Sequence, residues 1–527
     1  MALLSRIGFL LSFSLCSQAV AGPASETRLA SSANVQVETD PDGDLWPWRT
    51  FKSSPHTPPT LTYTADGKPL SDGHIFITPA DIKNQNATKQ SAGFTITTEG
   101  EPVYVANVSG MTDFRKQDWN GDPYLTYWSG YNTNGANTGH GYGQVTFTDD
   151  EYKTFDFDPD LHLNKLVNDS IANGSVDIHE HQITSRNTIL ISAYNNTQMD
   201  LTSVNGSADA WIVDALFYEV DIKTEEVLFQ WKAVDHLPLT ASKQPVVSVS
   251  GNGTKAAPWD WFHINAVQLV GEDYLISSRH LWTVFLISGK DGSIVWSLEG
   301  ENGGSFGQLP DNGTFRWQHY ARAHNVTQTS LDLSMFDNHN QVLDNGTMPT
   351  RMLVYHLDLP PSEGSSPLLT RRIEVPTHEL YADSQGSYTA DLPNGNQFVG
   401  YGQLAILREF GPGADGSDLR WEAQFGALNK VQSYRAFKQT WSATPAGWDP
   451  SLVVEDGKAY VSWNGATEVE EWTVYVGNDE EMLECAGVAR KMGFETTFVV
   501  PGNGSLLQVG ARQCGNEVRR SNIVRLK

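Results

Sequence analysis

Histidine is the side chain best suited to attack an electrophile or move a proton near neutral pH. Three of the 14 histidines, His181, His263 and His319, each head a similar strand-rich segment, 82 and 56 residues apart. Around His263 the chain reads PWDWFHIN. On a strand, His263 and Asn265 share one face and Ile264 takes the other. Arg279 closes the next apolar run. An imidazole, an amide and a guanidinium together form a receptor for an anionic oxygen or a sulfate; a structural histidine with a packing asparagine is the alternative. Around His319, in FRWQHYARAHNV, the imidazole suits a nucleophile or general base, with Arg322 or Arg279 to hold an anion. A channel histidine that only hydrogen-bonds is the competing reading. Trp259, Trp261, Phe262, Trp317 and Tyr320 are expected to give the site an aromatic mouth. His179 and His181 in DIHEHQI have metal-binding spacing, but no third ligand stands nearby, so neither a metal nor any other cofactor is expected. Asp337-Asn338-His339 is expected to form a turn. The chain has no Walker loop, no dinucleotide glycine fingerprint after a strand and no G-x-S-x-G elbow.

These residues need a scaffold that brings distant segments together. Helical periodicity is nearly absent, and the recurring unit is a short apolar strand, a turn and a second strand. From His263 the unit reads INAVQLV, YLISSR, WTVFLIS and SIVWSLEG, with tight turns at GED and GKDG. From His181 it reads QIT, TILISAYN, ALFYEVD and VLFQWKA. A third unit follows His319 and a fourth runs from Tyr388, while HIFITPA, AGFTITTEG, PVYVANV, YLTYWSG and GQVTFTD supply further strands. Four-stranded units at such spacing predict an all-β fold, a six-bladed β-propeller over residues 51–437. A stack of separate sandwiches would give the same local pattern. After the linker SATPAGWDP, alternating strands predict a C-terminal β-sandwich over 438–527. In a propeller the innermost strands line a central channel, so the three histidines would converge there.

The composition narrows the function. Asp+Glu outnumber Lys+Arg 62 to 36, a formal charge of −26, which repels phosphate backbones and excludes nucleic acid as a partner. Residues 1–21 read as a signal peptide: a basic start, the apolar run IGFLLSFSLC and the cleavage pattern Ala19-Val20-Ala21. Residues 22–50 form an N-terminal segment, and no later run is long enough to span a membrane. The expected location is the secretory pathway, extracellular or vacuolar. Eleven sequons agree with it, at Asn86, Asn107, Asn168, Asn173, Asn195, Asn205, Asn252, Asn312, Asn325, Asn345 and Asn503. Past the signal only Cys485 and Cys514 remain, and in an oxidising compartment that pair is expected to form a disulfide.

DWFHIN followed by Arg279, then WQHYAR and MFDN, resembles the arylsulfotransferase-like proteins, in particular their secreted fungal branch, over about Gly73 to Gly426. The resemblance implies a six-bladed propeller, with a C-terminal sandwich usual in fungal members. In the bacterial enzymes of this family a channel histidine takes sulfate from an aryl sulfate and passes it to a phenol without a nucleotide donor. Matched motif by motif, that histidine is His319, while His263, Asn265 and Arg279 hold the sulfuryl oxygens and His181 is a further channel histidine. The chain departs from the family in its terminal architecture and just after His319. The fungal branch also includes hetero-Diels–Alder enzymes of secondary metabolism, which join a tropolone-type quinone methide to a sesquiterpene. Cycloaddition needs a shaped apolar pocket with hydrogen-bond donors rather than a nucleophile. Three functions follow: the cycloaddition of a small aromatic substrate as leading expectation, aryl sulfotransfer through a sulfohistidine as alternative, and a propeller that only binds. His319, His263 and Arg279 would be catalytic, and Asn265, His181, Trp261, Trp317 and Arg322 would contact substrate.

Overall fold

The computed structural model describes residues 27–526 apart from 83–84, 133–138, 166–173, 249, 341–347, 363–365, 414 and 503. The protein is all-β. The sequence units appear as antiparallel four-strand meanders, here numbered I to VI. Sheet II is built from Met111–Trp119, Asp122–Asn132, Gly141–Thr148 and Thr154–Phe157. Sheet III comprises His181–Ile183, Thr188–Met199, Ala210–Asp221 and Val227–Lys232. Sheet IV comprises Ile264–Val270, Asp273–Ser278, Thr283–Ile287 and Ile294–Glu299. Sheet V comprises His319–His324, Ser330–Asp337, Arg351–Asp358 and Leu368–Ile373. Sheet VI comprises Ser387–Thr389, Gln397–Gly400, Ile406–Phe410 and Leu419–Gln424, with Thr62–Ala65 on its edge. Sheet I joins both ends of this region: His74–Ile77, Phe94–Ile96 and Pro102–Val105 are completed by Phe437–Gln439 beside His74–Ile77.

Period-2 alternation explains how the sheets stack. In His74–Ile77, Ile75 and Ile77 pack with Phe398, Leu407 and Trp421 of sheet VI, while Phe76 packs with Phe114 and Leu125 of sheet II. In Arg351–Asp358, Leu353 and Tyr355 face sheet IV and Met352 and Val354 face sheet VI. Strands buried on both faces need continuous apolar sequence, which is why TVFLI reads as an unbroken run. Apolar clusters join I to II, II to III, III to IV, IV to V, V to VI and VI back to I. The packing order returns to its start.

Two further sheets follow the SATPAGWDP segment. One orders Arg28–Leu29, Glu484–Arg490, Glu471–Gly477, Leu506–Gln513 and Asn516–Arg520; the other orders Ser31–Ala33, Glu495–Val499, Lys458–Ser462 and Ser451–Glu455. Both contribute to one apolar cluster, with Val461 and Phe498 from one sheet and Trp472, Val474 and Val509 from the other. Arg28–Leu29 and Ser31–Ala33, within the N-terminal segment 22–50, are strands of this C-terminal pair.

The expected Cys485–Cys514 disulfide is not formed: the two cysteines are exposed and lie apart. The register explains why. Cys485 lies opposite Tyr475 on one side of Glu471–Gly477, whereas Arg512 lies opposite Glu471 on the other side, with Cys514 beyond it. Four residues along the sheet and two strands across separate the positions by about 13 Å and about 10 Å. A disulfide tolerates about 4.4–6.8 Å between Cα atoms.

Among the described residues, no helix is long and apolar enough to cross a membrane. Of the sequons, Asn86, Asn107, Asn205, Asn252, Asn312 and Asn325 are exposed and Asn195 is half-buried in a strand. Asn168, Asn173, Asn345 and Asn503 lie outside the described residues, as does the signal segment.

Candidate active site

The first strands of sheets II to V meet around the buried charged residues, and those of sheets II, IV and V begin irregularly. The ladders of sheets II, IV and V slip between Thr112 and Arg115, Ile264 and Ala266, and His319 and Arg322. Asp113, His263 and Tyr320 adopt left-handed backbone (φ 52°, 56° and 52°), sparsely populated for residues with a side chain. These bulges aim successive side chains to opposite ends of the centre and divide it into two layers.

One layer is ionic. Glu180 accepts from Arg115 (3.0 Å), Arg322 (2.6 Å) and Arg435 (3.1 Å) and takes the amide of Val267 at 3.3 Å. Asp113 accepts from Arg435 at 3.0 Å, and Arg435 also donates to the Asn265 carbonyl. Burial would raise the Glu180 carboxyl, but the guanidiniums of Arg322, Arg435 and Arg115 overcome it and hold the acid far below its ordinary value. His181 belongs to this layer, with Nδ1 3.4 Å from Asp113, and burial pushes it down to about 4.

The other layer is built from histidines. His263 Nδ1 lies 2.6 Å from Asp260 Oδ2, and His140 Nε2 lies 2.8 Å from the same oxygen. His179 Nδ1 lies 2.5 Å from Asp177 Oδ1. His280 Nδ1 donates to the Asp260 carbonyl (2.7 Å), and its Nε2 accepts from Arg279 Nη1 (3.0 Å). The Arg279 guanidinium also reaches the Asp383 carbonyl and rests over the Trp317 ring at 5.2 Å. His319 Nδ1 donates to Asn338 Oδ1 at 2.7 Å, and its Nε2 accepts a long 3.2 Å bond from the Gln385 amide. Asn338 is fixed in turn by Nδ2 bonds to the carbonyls of Ala382 and Gln385. Gly386 makes that approach possible: at φ 110° its Cβ would sit 2.5 Å from the Phe336 ring.

Electrostatics assign the protonation states. Burial, then Arg279, holds His319 well below the ordinary histidine value, so its imidazole is neutral. Burial likewise depresses His263 despite Asp260 beside it, and pushes His280 down to about 4. Burial also opposes charge on His140, but Asp260 and Asp177 win and raise it. Asp260 stays ionised because His140, His263 and His280 outweigh its burial.

The sequence-predicted residues therefore separate. His319, His263 and Arg279 share the histidine layer. His181 and Arg322 do not: both are spent on the ionic layer, and His179 stands beside His263 instead, with ring centroids 4.7 Å apart. Asn265 is fully buried, its amide donating to the Gln318 carbonyl. Trp259, Trp261 and Phe262 do not form a mouth, because they fill the core between sheets III and IV. Trp317 is buried beneath Arg279, and Tyr320 points the other way, against Phe437 with Arg322 and Arg435 over its ring. Asn338, expected only in a turn, anchors His319. Sequence reasoning missed it along with His140, Asp260 and His280, and weighed His179 only as a metal-spaced neighbour of His181, although FDN and PWDWFH carried part of the signal. Two clefts of about 410 and 430 Å³ lie against the C-terminal sheets, the first beside sheet I and the second beside sheets I and II, and none of the central histidines lines them.

A family model described as Arylsulfotransferase (ASST) matches residues 115–426. No curated protein matches the chain. Solved structures overlap it loosely. A protein from Lactobacillus plantarum, 10% identical, covers 81% of this chain and 99% of its own with a TM-score of 0.34. Sucrose-6-phosphate hydrolase from Lactobacillus gasseri, 11% identical, covers 81% and 88% with 0.31. Hsv2 from Kluyvelomyces marxianus, 8% identical, covers 67% and 94% with 0.22.

Proposed function

The chain belongs to the arylsulfotransferase family, and from that premise we propose that it moves a sulfuryl group between aryl oxygens through His319. The observation that carries this reading is the state of His319: a neutral imidazole whose Nδ1 proton is committed to Asn338, leaving the Nε2 lone pair as nucleophile. An incoming sulfuryl group would displace the long Gln385 contact, and Arg279 beside it would hold the anionic oxygens. Nε2 attacks sulfur, the sulfur–oxygen bond to the aryl group breaks, and the phenolate leaves with the electron pair. An acceptor phenol then gives its proton to water and attacks the same sulfur, breaking the sulfur–nitrogen bond and returning the lone pair to Nε2. Incubation with 4-nitrophenyl sulfate should release nitrophenolate and add one sulfuryl mass to the protein at His319, and His319→Ala should abolish both. Turnover by His319→Ala, or no adduct on the wild type, would reject the reading.

The hetero-Diels–Alder reaction stands second, because the rings expected to shape its apolar pocket are packed in the core. For the architecture we propose a six-bladed propeller over 51–437, closed by the strand Phe437–Gln439, followed by a C-terminal sandwich. The cyclic order of apolar clusters supports the first, and the cluster shared by the last two sheets supports the second. Secretion and glycosylation are part of the same proposal, supported by the exposed sequons.

A further inference from the structure

His140 stands just before Gly141–Thr148 of sheet II, His179 just before the first strand of sheet III, and His263 just before that of sheet IV. One potential ligand atom from each lies within 4.8 Å of those of the other two, and all three rings are buried. Their centroids are 4.7, 4.9 and 5.5 Å apart.

Hydrogen bonding decides what such a cluster can hold. A receptor for an anion must aim N–H groups at it. Here each ring faces a carboxylate: Nδ1 of His179 on Asp177, Nδ1 of His263 on Asp260, and Nε2 of His140 on Asp260. A ring proton is held best on the nitrogen next to the carboxylate, so His179 and His263 turn the lone pair of Nε2 the other way. Three such rings gathered within ligand distance of one another suit a cation. Carboxylates behind the rings are also what metal-binding histidines use to fix tautomer and orientation. The Asp177 carboxylate is itself braced by the amides of Gly141 and His179 and by Ser192 Oγ. Among the described residues, Asp177 and Asp260 pair with histidines alone, so the charge of a divalent ion bound to those rings would fall beside two buried carboxylates. His280 is not a fourth ligand, since both its nitrogens are engaged by the Asp260 carbonyl and Arg279.

We propose that His140, His179 and His263 form a three-histidine site for a divalent transition metal, Zn²⁺ by preference, with a fourth position left for water or an anionic oxygen. Imidazole ligands suit Zn²⁺, Cu²⁺ and Ni²⁺ over Mg²⁺ or Ca²⁺. Three histidines with an open position are a recurrent catalytic zinc arrangement. At Zn–N distances of about 2.0–2.1 Å the ligand nitrogens sit roughly 3.4 Å apart, so the rings need only draw inward. The site shares His263 with the residues expected to hold the sulfuryl oxygens but not the proposed nucleophile His319, and metal uptake is measured without turnover.

Untagged, chelator-dialysed protein should take up one equivalent of Zn²⁺ in calorimetry, with metal content confirmed by mass spectrometry. Co²⁺ in its place should give the intense visible absorption of a four-coordinate site. His179→Ala and His263→Ala should each abolish stoichiometric uptake, and Asp177→Asn should weaken it about 10- to 100-fold, while His181→Ala keeps it. Circular dichroism checks that each variant is folded. Wild-type protein that binds neither ion stoichiometrically, a measurement that needs no variant, would overturn the proposal. So would uptake that survives in folded His179→Ala or His263→Ala.

Discussion

His319 and Asn338 illustrate how a single contact sets reactivity. An imidazole attacks only when unprotonated, so activity is complete above its folded-state pKa and is lost as pH falls through it. Burial and Arg279 place that pKa well below 6.5. The acid limb of kcat/KM for 4-nitrophenyl sulfate is therefore expected well below the ordinary histidine range. A limb at or above pH 6.5 would contradict the burial argument. Asn338→Ala removes the Nδ1 acceptor while leaving Nε2, so kcat should fall about 10- to 100-fold, the equivalent of roughly 1–3 kcal/mol, with the pH limb still acidic. His319, His263 and Arg279 were legible because each sits where an apolar strand begins or ends. His179 was not, because two neighbouring histidines on one short segment look interchangeable until the turn before His181 sends them to different layers.

The strand units were legible because turns and double-sided apolar runs leave strong marks: Phe217 pairs with Trp231 and Leu286 with Trp296, as the two matching hairpins require. The bulges that open the inner strands were not, since Asp113 and Tyr320 adopt left-handed backbone without a glycine to announce it. Asp214 shows that a strand can also carry a penalty. It is buried in Ala210–Asp221 beside apolar Val213 and Ala215, and burial raises its carboxyl to about 7 from an unfolded value of 3.8. Between those values the folded state holds the extra proton, so stability declines as pH rises from about 4 to about 7 and then levels off. Asp214→Asn should therefore raise stability by a few kcal/mol near pH 8 and by much less near pH 5. Urea midpoints at the two pH values test this, and a gain independent of pH would mean that ionisation is not the cost. At the edge of the C-terminal sheets, the exposed Cys485 should alkylate in the native, non-reduced protein, which a Cys485–Cys514 disulfide would prevent.

Across the whole molecule, the strand Phe437–Gln439 is the element that ties the packed sheets together. Phe437–Gln439 is only three residues long, yet it touches three sheets. It pairs with His74–Ile77 of sheet I, and Gln439 exchanges hydrogen bonds with the backbone of Lys116 in sheet II. Lys438 donates to Glu409 of sheet VI at 2.6 Å, with both side chains fully buried. That carboxylate also takes the Ser71 amide and Asn396 Nδ2. Removing one member of a buried ion pair strands the other charge and costs about 3–5 kcal/mol, whereas replacing both by uncharged groups of similar volume costs little. Lys438→Met should therefore lower the unfolding midpoint sharply, and adding Glu409→Gln should recover most of the loss. If the strand closes a ring, the single substitution must weaken sheets I, II and VI together. Hydrogen exchange would then accelerate in all three within one cooperative transition. Exchange that rises only in Phe437–Gln439 and His74–Ile77, at an unchanged global midpoint, would mean that the sheets stand without closure.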